Sequence, residues 1–428
     1  MLDRQIKSTV IQKRWQPVID AISNSSETAY LLLLGLHISA TLLQKIRWNH
    51  TWEQGVQILR TGIISIVLWG SALYLFEIIT RIKIRNHKRA VYLLTCIALV
   101  GGVIVVSRNM TESTYSMILD AFFCFTAIGK KFYKILFLYL ILGATTLLTG
   151  LVGYRIGIAS DFLVFKPDRV NALHSIGLSH PNTWAHIILM LILIIWYLLL
   201  QNHVLVTGFL FWGFAWFIIT IFSCKTVAFL MILFPFAVII TEYYQKKGEE
   251  PAIIEQHRIT WLKSGLLKRI ISICAIFLPV ILFTVSIILC WQMDWVQKTF
   301  YETRFMSLAM RFVEGGYALR HNDISLFGQA YHIVYDLSVP YIGSISHVLD
   351  NAFVYYVIWR GILWVIACLS WLVFTNVRCC KNRDYRFLLI AECMLLMAVM
   401  EHFGLDVWFN FTLLYPLASH QITGKIYD

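Results

Sequence analysis

Two arginines in the second half of the chain have a spacing that suits phosphate binding. Arg304 and Arg311 are two helical turns apart, and the segment between Thr303 and Phe312 carries apolar residues on the neighbouring helical face. A guanidinium group forms paired, planar hydrogen bonds with phosphate. The pattern predicts a short amphipathic helix. Its arginines either clamp a phosphorylated ligand or contact lipid headgroups while the apolar side faces the membrane interface.

A second polar stretch precedes an apolar run in the first half of the chain. Arg169, His174 and His180 lie within it, and it ends on Pro181 and Asn182. The proline favours an extended His180, and Asn182 is expected to cap the helix that follows. A helix start explains the proline and the asparagine. It leaves the arginine and the two histidines unexplained, and these predict a binding role at a membrane surface.

Four further residues are candidates for contact with a ligand. Lys225 follows one apolar run and can reach a substrate or extend to lipid phosphate. Asp350 and Asn351 precede another run, where helix capping is the competing explanation. Arg360 lies inside a run, as do Glu77, Asp120 and Glu401, and charges there are usually paired or face a cavity. For Arg360 an ion pair with another buried group is expected before a substrate role.

The sequence patterns of metal sites, catalytic triads and nucleotide-binding sites are absent. Nine cysteines are scattered, mostly within apolar runs, without the spacing that holds zinc or an iron–sulfur cluster. No catalytic-triad order, Walker loop or Rossmann glycine pattern occurs in its required context. The sequence therefore predicts no metal and no cofactor. The net charge of +12 comes from short basic clusters between apolar runs, which indicates membrane orientation rather than nucleic-acid binding.

Apolar runs must position these residues. Hydrophobic residues make up 58% of the chain and charged residues 14%, compared with about 25% charged in soluble domains. The runs recur along residues 1–428 without a soluble domain between them, which predicts a single integral membrane domain. Its fold class is all-α, a polytopic bundle of about twelve transmembrane helices. The predicted spans are Thr28 to Leu43, Thr61 to Thr80, Ala90 to Ser107, Thr114 to Ile128, Ile135 to Val152, Thr183 to Leu200, Val204 to Phe222, Thr226 to Thr241, Ile270 to Leu289, Ala352 to Phe374, Phe387 to Phe403 and Val407 to Ala418. The last of these is short, and a re-entrant segment is the alternative to a full span.

The distribution of Lys and Arg predicts the orientation of the bundle. With the N-terminus inside, the inner segments hold 23 of these residues and the outer segments 12. Both termini are then cytoplasmic, and a basic inner loop, 242–269, lies against anionic lipid headgroups. Two long loops, 153–182 and 289–351, face outward and contain most of the candidate residues. The spans that follow these loops direct their helix N-termini outward, which favours a bound anion.

Several short motifs resemble the Wzy-type polysaccharide polymerases, which are related to the O-antigen ligase superfamily. The hydropathy profile is similar over essentially the whole chain. Three positions depart from the family pattern: His174 and Lys225 replace arginines, and Leu178 replaces an aromatic residue. The matching residues are Gly177-Leu178-Ser179-His180-Pro181-Asn182, Arg304, Phe327-Gly328, and Asp350-Asn351-Ala352-Phe353 ahead of Gly361.

The resemblance implies a C-type glycosyltransferase in the bacterial cell membrane. Such an enzyme transfers a growing glycan from polyprenyl pyrophosphate onto an incoming lipid-linked repeat unit at the outer face, without a metal. Arginines would stabilise the leaving pyrophosphate, and a base would remove the acceptor proton. The implied residues are Arg169 and Arg304 with Arg311 assisting for the pyrophosphate, His180 or His332 for the base, and His174, Lys225, Asp350 and Asn351 for further substrate contacts.

Three other functions remain open from the sequence. The chain can be an O-antigen-ligase-like transferase, a flippase or transporter of lipid-linked sugars, or a noncatalytic partner in a synthase complex. A flippase is expected to concentrate charges within its spans, whereas here they collect in the outer loops. The expected partners are polyprenyl-pyrophosphate-linked oligosaccharides, anionic membrane lipids and other polysaccharide assembly proteins.

Overall fold

The chain forms a polytopic membrane helix bundle. The structure is a computed structural model that describes residues 26–81, 112–164, 172–200, 203–247, 264–300, 306–329 and 349–420. Within these ranges there are thirteen α-helices, and eight are long and apolar enough to cross a membrane. The fold class is therefore all-α, as predicted.

Thirteen helices make up most of the described residues. They are α1 (Ser26–Lys45), α2 (His50–Arg81), α3 (Glu112–Thr126), α4 (Phe132–Arg155), α5 (Pro181–Ile195, continued by a π-helical turn Trp196–Leu200), α6 (Val204–Ile221), α7 (Lys225–Lys247), α8 (Ser264–Trp291), α9 (Met293–Phe300), α10 (Met306–His321), α11 (Ala352–Trp359), α12 (Ile362–Asn382) and α13 (Tyr385–Met400). A small antiparallel hairpin, β1 (Leu163–Val164) and β2 (Leu173–His174), lies between α4 and α5.

Large apolar side chains cover the outside of the bundle. On α6, Leu205, Phe209 and Trp216 are 81%, 78% and 70% exposed. A protein surrounded by water rarely leaves such a continuous apolar surface uncovered. These faces are suited to contact with lipid chains, and the helices satisfy their own backbone hydrogen bonds as a membrane requires.

One end of the bundle, the Lys130 end, comprises residues 26–27, 130–134, 384–386 and 419–420. The Lys134 ammonium group lies 2.5 Å from the Glu27 carboxylate, and Lys131 forms a strand-like bridge with Ser419. The first and last described residues therefore lie on the same side of the bundle.

The opposite end, the Lys45 end, comprises residues 45–50, 156–164, 172–180, 222–224, 292–300, 306–321 and 349–351. The chain after α1 pairs with the loop that precedes α5: Ile46 bridges Leu178, and Trp48 bridges Ala159. Helices α9 and α10 pack beside each other at this end.

The predicted tenth span is wrong as a single helix. It forms α11 and α12, separated at Arg360 and Gly361. Gly361 has a φ of +83°, which an L side chain rarely adopts. Segment 325–329 packs into the break, where the backbone N–H of Ile362 donates to the Ser325 carbonyl at 3.1 Å.

The predicted last span, Val407 to Ala418, is also wrong as a helix. Residues 401–419, the irregular segment, contain two short 3₁₀ turns, His402–Leu405 and Phe411–Leu414, and return to the Lys130 end. Non-helical backbone is tolerated at membrane depth when protein groups bind it. Here the Tyr139 hydroxyl donates to the Val407 carbonyl, and the Trp371 ring donates to the Leu413 carbonyl at 2.7 Å.

Two further expectations concern the amphipathic helix and the third span. The predicted amphipathic helix begins at Met306 and continues to His321, and its residues Phe312, Val313 and Tyr317 are buried against the bundle. Phe312, from the predicted apolar face, is therefore buried in the bundle and does not face lipid, whereas the side chains of Phe305 and Leu308 lie outside the described residues. The predicted third span, Ala90 to Ser107, lies outside the described residues.

Candidate functional site

The irregular segment brings polar side chains to the end of α1. Lys45 is the last residue of α1, and its ammonium group lies 4.9 Å from the Trp408 ring centroid and 5.3 Å from that of Phe403. Asp406 and Glu401 interact electrostatically with this lysine. A cation is thus held between aromatic rings and carboxylates at the Lys45 end.

Asp406 is anchored by the residues at the break between α11 and α12. One carboxylate oxygen, Oδ1, accepts from the Tyr356 hydroxyl at 2.5 Å and from the Arg360 guanidinium at 3.1 Å. The guanidinium carbon of Arg360 lies 4.1 Å from the Tyr356 ring centroid. The ion pair that the sequence predicted for Arg360 is confirmed, and its partner is Asp406.

Arg311 and Asp350 form a second ion pair at the Lys45 end. They come from α10 and from the residue just before the cap of α11, so a long loop separates them in sequence. Asn351 caps α11: its side-chain oxygen accepts from the backbone N–H groups of Phe353 and Val354 at 3.0 and 3.3 Å. The structure therefore brings two predicted substrate-binding residues into contact and gives a third a structural role.

These groups form one charged cluster. Glu401 lies 3.2 Å from the imidazole of His186 on α5 and also interacts electrostatically with Arg311. Through Glu401 and Lys45, the Arg311 pair connects with the Asp406 pair. We define the charged cluster as Lys45, His186, Arg311, Asp350, Arg360, Glu401, His402 and Asp406.

Part of the charged cluster is open to solvent. Among residues 401–416, His402 and Asp406 are the two positions that keep partial exposure, while the others are buried. Lys45 and Tyr355 are also partly exposed, and the rings of Tyr355 and His402 are 5.6 Å apart. We call the partly exposed surface formed by Lys45, Tyr355, His402 and Asp406 the crevice, and it lies at the Lys45 end.

His174 contacts a carboxylate outside the charged cluster. Its Nδ1 atom pairs with Asp161, which also accepts from the backbone N–H groups of Ser175 and Ile176 at 2.8 and 2.9 Å. Partial burial acts to raise the pKa of Asp161, but the hydrogen bonds from His174 and Ile176 outweigh it and hold the pKa below its usual range. Asp161 thereby orders the hairpin that leads to α5.

His180 caps α5, a role that the sequence assigned to Asn182. The helix begins at Pro181, and the His180 Nδ1 atom accepts the backbone N–H of Asn182 at 3.1 Å. The expectation that Asn182 is the cap is wrong, whereas the extended conformation predicted for His180 is confirmed. Because Nδ1 accepts this bond, a neutral ring carries its proton on Nε2.

The remaining predicted site residues are placed as follows. Lys225 is an exposed residue at the start of α7, at the Lys45 end. Arg169, Arg304 and His332 lie outside the described residues.

The motifs that resemble the polymerase family meet at this end of the bundle. Gly177 lies against Gly150 of α4, and the backbone N–H of Ser179 donates to the Lys45 carbonyl at 2.7 Å. Gly328 packs directly on Gly361, so that a Cβ atom on Gly361 would lie 2.3 Å from the Gly328 nitrogen. The motifs are distant in sequence and converge around the charged cluster.

Four members of the charged cluster were missing from the sequence-based candidates: Lys45, His186, His402 and Asp406. Hydropathy placed each within or beside a span, and residues 407–418 of the irregular segment were predicted as a short span, with a re-entrant segment as the alternative. One signal was present: Asp406 and Asn410 follow Glu401 at intervals that do not form a single helical face. Polar residues at such spacing within an apolar run indicate irregular backbone.

Within the described ranges, no three His, Cys, Asp or Glu side chains are grouped so that they could hold a metal ion. Comparison of the chain with protein-family models, with curated proteins and with solved structures gives no match. The functional argument therefore depends on the residues of the chain itself.

Proposed function

We propose that this chain is an oligosaccharide repeat-unit polymerase, which lengthens a glycan carried on polyprenyl pyrophosphate. The observation that carries the proposal is the convergence of the family-like motifs at the Lys45 end. These motifs lie beside the charged cluster, in which arginine and lysine face a partly open crevice. Cations at this position suit a donor whose leaving group is a lipid diphosphate.

The proposal places the Lys45 end on the outer face of a bacterial cytoplasmic membrane. The Lys130 end and both termini then face the cytoplasm, where the excess of Lys and Arg is expected. Twelve passes result when the predicted third span and the irregular segment are counted, with two long outer loops as in C-type glycosyltransferases. Anionic lipids would contact the inner basic loop 242–269. Other polysaccharide assembly proteins are the expected protein partners.

The proposed reaction exchanges one bond at the sugar anomeric carbon for another. The acceptor hydroxyl oxygen attacks this carbon, and the bond from the carbon to the diphosphate oxygen breaks. Arg311 and Lys45 stabilise the negative charge that develops on the departing diphosphate. Arg311 does so by sharing its guanidinium between Asp350 and a phosphate oxygen. Arg169 and Arg304 remain proposed as additional diphosphate ligands.

Reconstitution of the purified protein tests the proposal. Vesicles containing the protein and lipid-linked repeat units extracted from the host should form polymer, visible as a ladder on a gel. Arg311→Ala should abolish the ladder and weaken binding of farnesyl diphosphate at least about tenfold, because a hydrogen bond to a charged group contributes about 1.5–3 kcal/mol. Arg311→Lys should recover only part of the polymer formation and of the farnesyl diphosphate binding, since lysine lacks the planar donor pair.

Arg320→Ala is the matched control for Arg311. Arg320 lies on the same helix and pairs with Asp294 at 2.8 Å on the exposed surface. Its loss should leave both binding and polymer unchanged, because exposed ion pairs contribute little. A folded wild-type protein that forms no polymer from host repeat units would contradict the proposed function.

A flippase is a second candidate, and one observation favours it. In the described part of the bundle, buried basic and acidic side chains contact each other: His37 with Asp120 at 3.4 Å, His186 with Glu401 at 3.2 Å, and Arg360 with Asp406 at 3.1 Å. Buried charges of this kind line substrate pathways in transporters. The same reconstitution separates the functions, because a flippase moves the lipid-linked unit across the vesicle without elongating it. A ligase would transfer the glycan to a different acceptor and form no ladder.

A further inference from the structure

Asp406 differs from the other carboxylates of the charged cluster in how its two oxygens are used. Both the Tyr356 hydroxyl and the Arg360 guanidinium bind the same oxygen, Oδ1. The second oxygen, Oδ2, makes no hydrogen bond to the described residues, and the side chain keeps 14% of its surface exposed. One oxygen is therefore fixed, and the other faces the crevice.

The neighbouring carboxylates are placed differently. Asp350 keeps 12% of its side chain exposed, but among the described residues it is held by Arg311 alone, and Glu401 is buried against His186. Asp120 pairs with His37 deep in the bundle, and its second oxygen is buried. Asp406 thus combines an open oxygen with a fixed orientation.

The surroundings of Asp406 suit a sugar hydroxyl beside a diphosphate. Lys45 lies within electrostatic reach of Asp406 and between the rings of Phe403 and Trp408. Tyr355 and His402 are partly exposed next to it. A cation for phosphate, the partly exposed rings of Tyr355 and His402 and a carboxylate therefore share one crevice, while the rings of Phe403 and Trp408 are buried beneath Lys45.

We propose that Asp406 is the proton acceptor for the acceptor sugar hydroxyl, an assignment that rests on the proposed polymerase function. As the hydroxyl oxygen forms its bond to the anomeric carbon, its proton passes to Asp406 Oδ2. The bond from that carbon to the diphosphate breaks, and its electron pair leaves with the diphosphate. Asp406 afterwards releases the proton to water, so that the carboxylate is restored.

Tyr356 and Arg360 act as positioning residues in this step. Their two hydrogen bonds to Oδ1 fix the carboxylate orientation and leave Oδ2 for the acceptor hydroxyl. The α11 to α12 break is what places them there, because Arg360 is the residue just before Gly361. In this proposal the break in the helix serves to place Arg360 beside Asp406.

The test uses the full-length protein in vesicles with lipid-linked repeat units from the host. Asp406→Asn should lower kcat about 100-fold or more, which is the usual contribution of a general base, and leave KM nearly unchanged. Asp406→Glu should restore part of the rate. Farnesyl diphosphate binding by Asp406→Asn should match the wild type, because the diphosphate ligands remain.

Asp384→Asn is the matched control. Asp384 accepts the hydroxyl groups of Tyr197 and Tyr415 at 2.8 and 2.9 Å, but at the Lys130 end. Its replacement removes the same kind of hydrogen bonds and should leave kcat unchanged. In the same way, Tyr356→Phe should lower kcat about tenfold at constant KM, whereas Tyr197→Phe should not.

The outcomes separate this proposal from the proposed function. A wild-type protein that polymerises, together with an Asp406→Asn variant of equal kcat, overturns the assignment of Asp406 alone. Loss of farnesyl diphosphate binding in Asp406→Asn also overturns it, because the role would then be in binding. If Asp406→Asn does not fold, equal kcat in Tyr356→Phe and Tyr197→Phe decides against it. A wild-type protein that forms no polymer overturns the function and this proposal together.

Discussion

At the scale of single residues, α10 carries two groups that control charge near the crevice. Arg311 pairs with Asp350, and Glu314 follows one turn later with one carboxylate oxygen buried and without a hydrogen bond to the described residues. Burial raises the pKa of Glu314 to about 7, against the opposing effect of the nearby Arg311. The carboxyl is therefore partly protonated near neutral pH.

This pKa predicts how stability depends on pH. Because the pKa of Glu314 in the folded protein is above its usual value, protonation of this carboxyl favours the folded state. This contribution to stability is present at low pH and is lost as the pH rises through about 7. We expect wild-type protein in detergent to lose on the order of 2 kcal/mol of stability between about pH 5 and pH 8 from this group. Thermal unfolding at the two pH values measures it.

Glu314→Gln is the comparison for this effect. The glutamine cannot ionise, so that the variant should retain at pH 8 the stability that it has at pH 5, apart from contributions shared with the wild type. An identical pH dependence in both proteins would show that Glu314 does not titrate in this range.

At the scale of elements, the break between α11 and α12 determines where the charged cluster forms. Gly328 and Gly361 have φ values of +82° and +83°, and their backbones are in direct contact. A continuous helix through this region would have no place for segment 325–329. The glycine pair therefore sets the end of α11 and, with it, the position of Arg360.

Gly361→Ala tests the role of the break. The new Cβ atom would overlap the Gly328 nitrogen at 2.3 Å, and the positive φ adds strain. We expect a loss of at least about 2 kcal/mol, from roughly 1–2 kcal/mol of strain plus the overlap. Thermal unfolding in detergent measures this loss.

Gly62→Ala on α2 is the matched control, because nothing lies within 4 Å of a Cβ atom there. An alanine in an exposed helix interior should be neutral or slightly stabilising. Equal unfolding temperatures for the two variants would contradict the role assigned to the break.

At the scale of the whole molecule, the bundle has two chemically different ends. The Lys130 end is closed by ion pairs such as Lys134 with Glu27 and Arg386 with Glu242. The Lys45 end contains the hairpin, α9, α10 and the partly open crevice. This asymmetry fits a protein that works at one surface of a membrane, and it predicts which surface each end faces.

Cysteine labelling in intact cells tests the orientation. His50 and Lys381 are both exposed and lie near opposite ends of the bundle. In a background without native cysteines, a membrane-impermeant maleimide should label His50→Cys in intact cells. It should label Lys381→Cys only after permeabilisation. The reverse pattern would place the crevice in the cytoplasm and contradict the proposed site.

The sequence alone determined the features that depend on local pattern. Apolar runs identified most of the helices that could cross a membrane, since hydropathy and length are properties of a short window. The same holds for the Asn351 cap and for the expectation that buried Arg360 must be paired, because an unpaired buried charge is too costly.

Only the tertiary structure decided which groups meet. Asp350 pairs with Arg311 and Asp406 with Arg360 across separations that no sequence window contains. Hydropathy did not distinguish the irregular segment from a membrane helix, because the two have similarly apolar compositions. Its departure from helical form depends on side chains from other helices, such as Tyr139 and Trp371, that bind its carbonyl groups. Such long-range hydrogen bonds exist only once the bundle has formed.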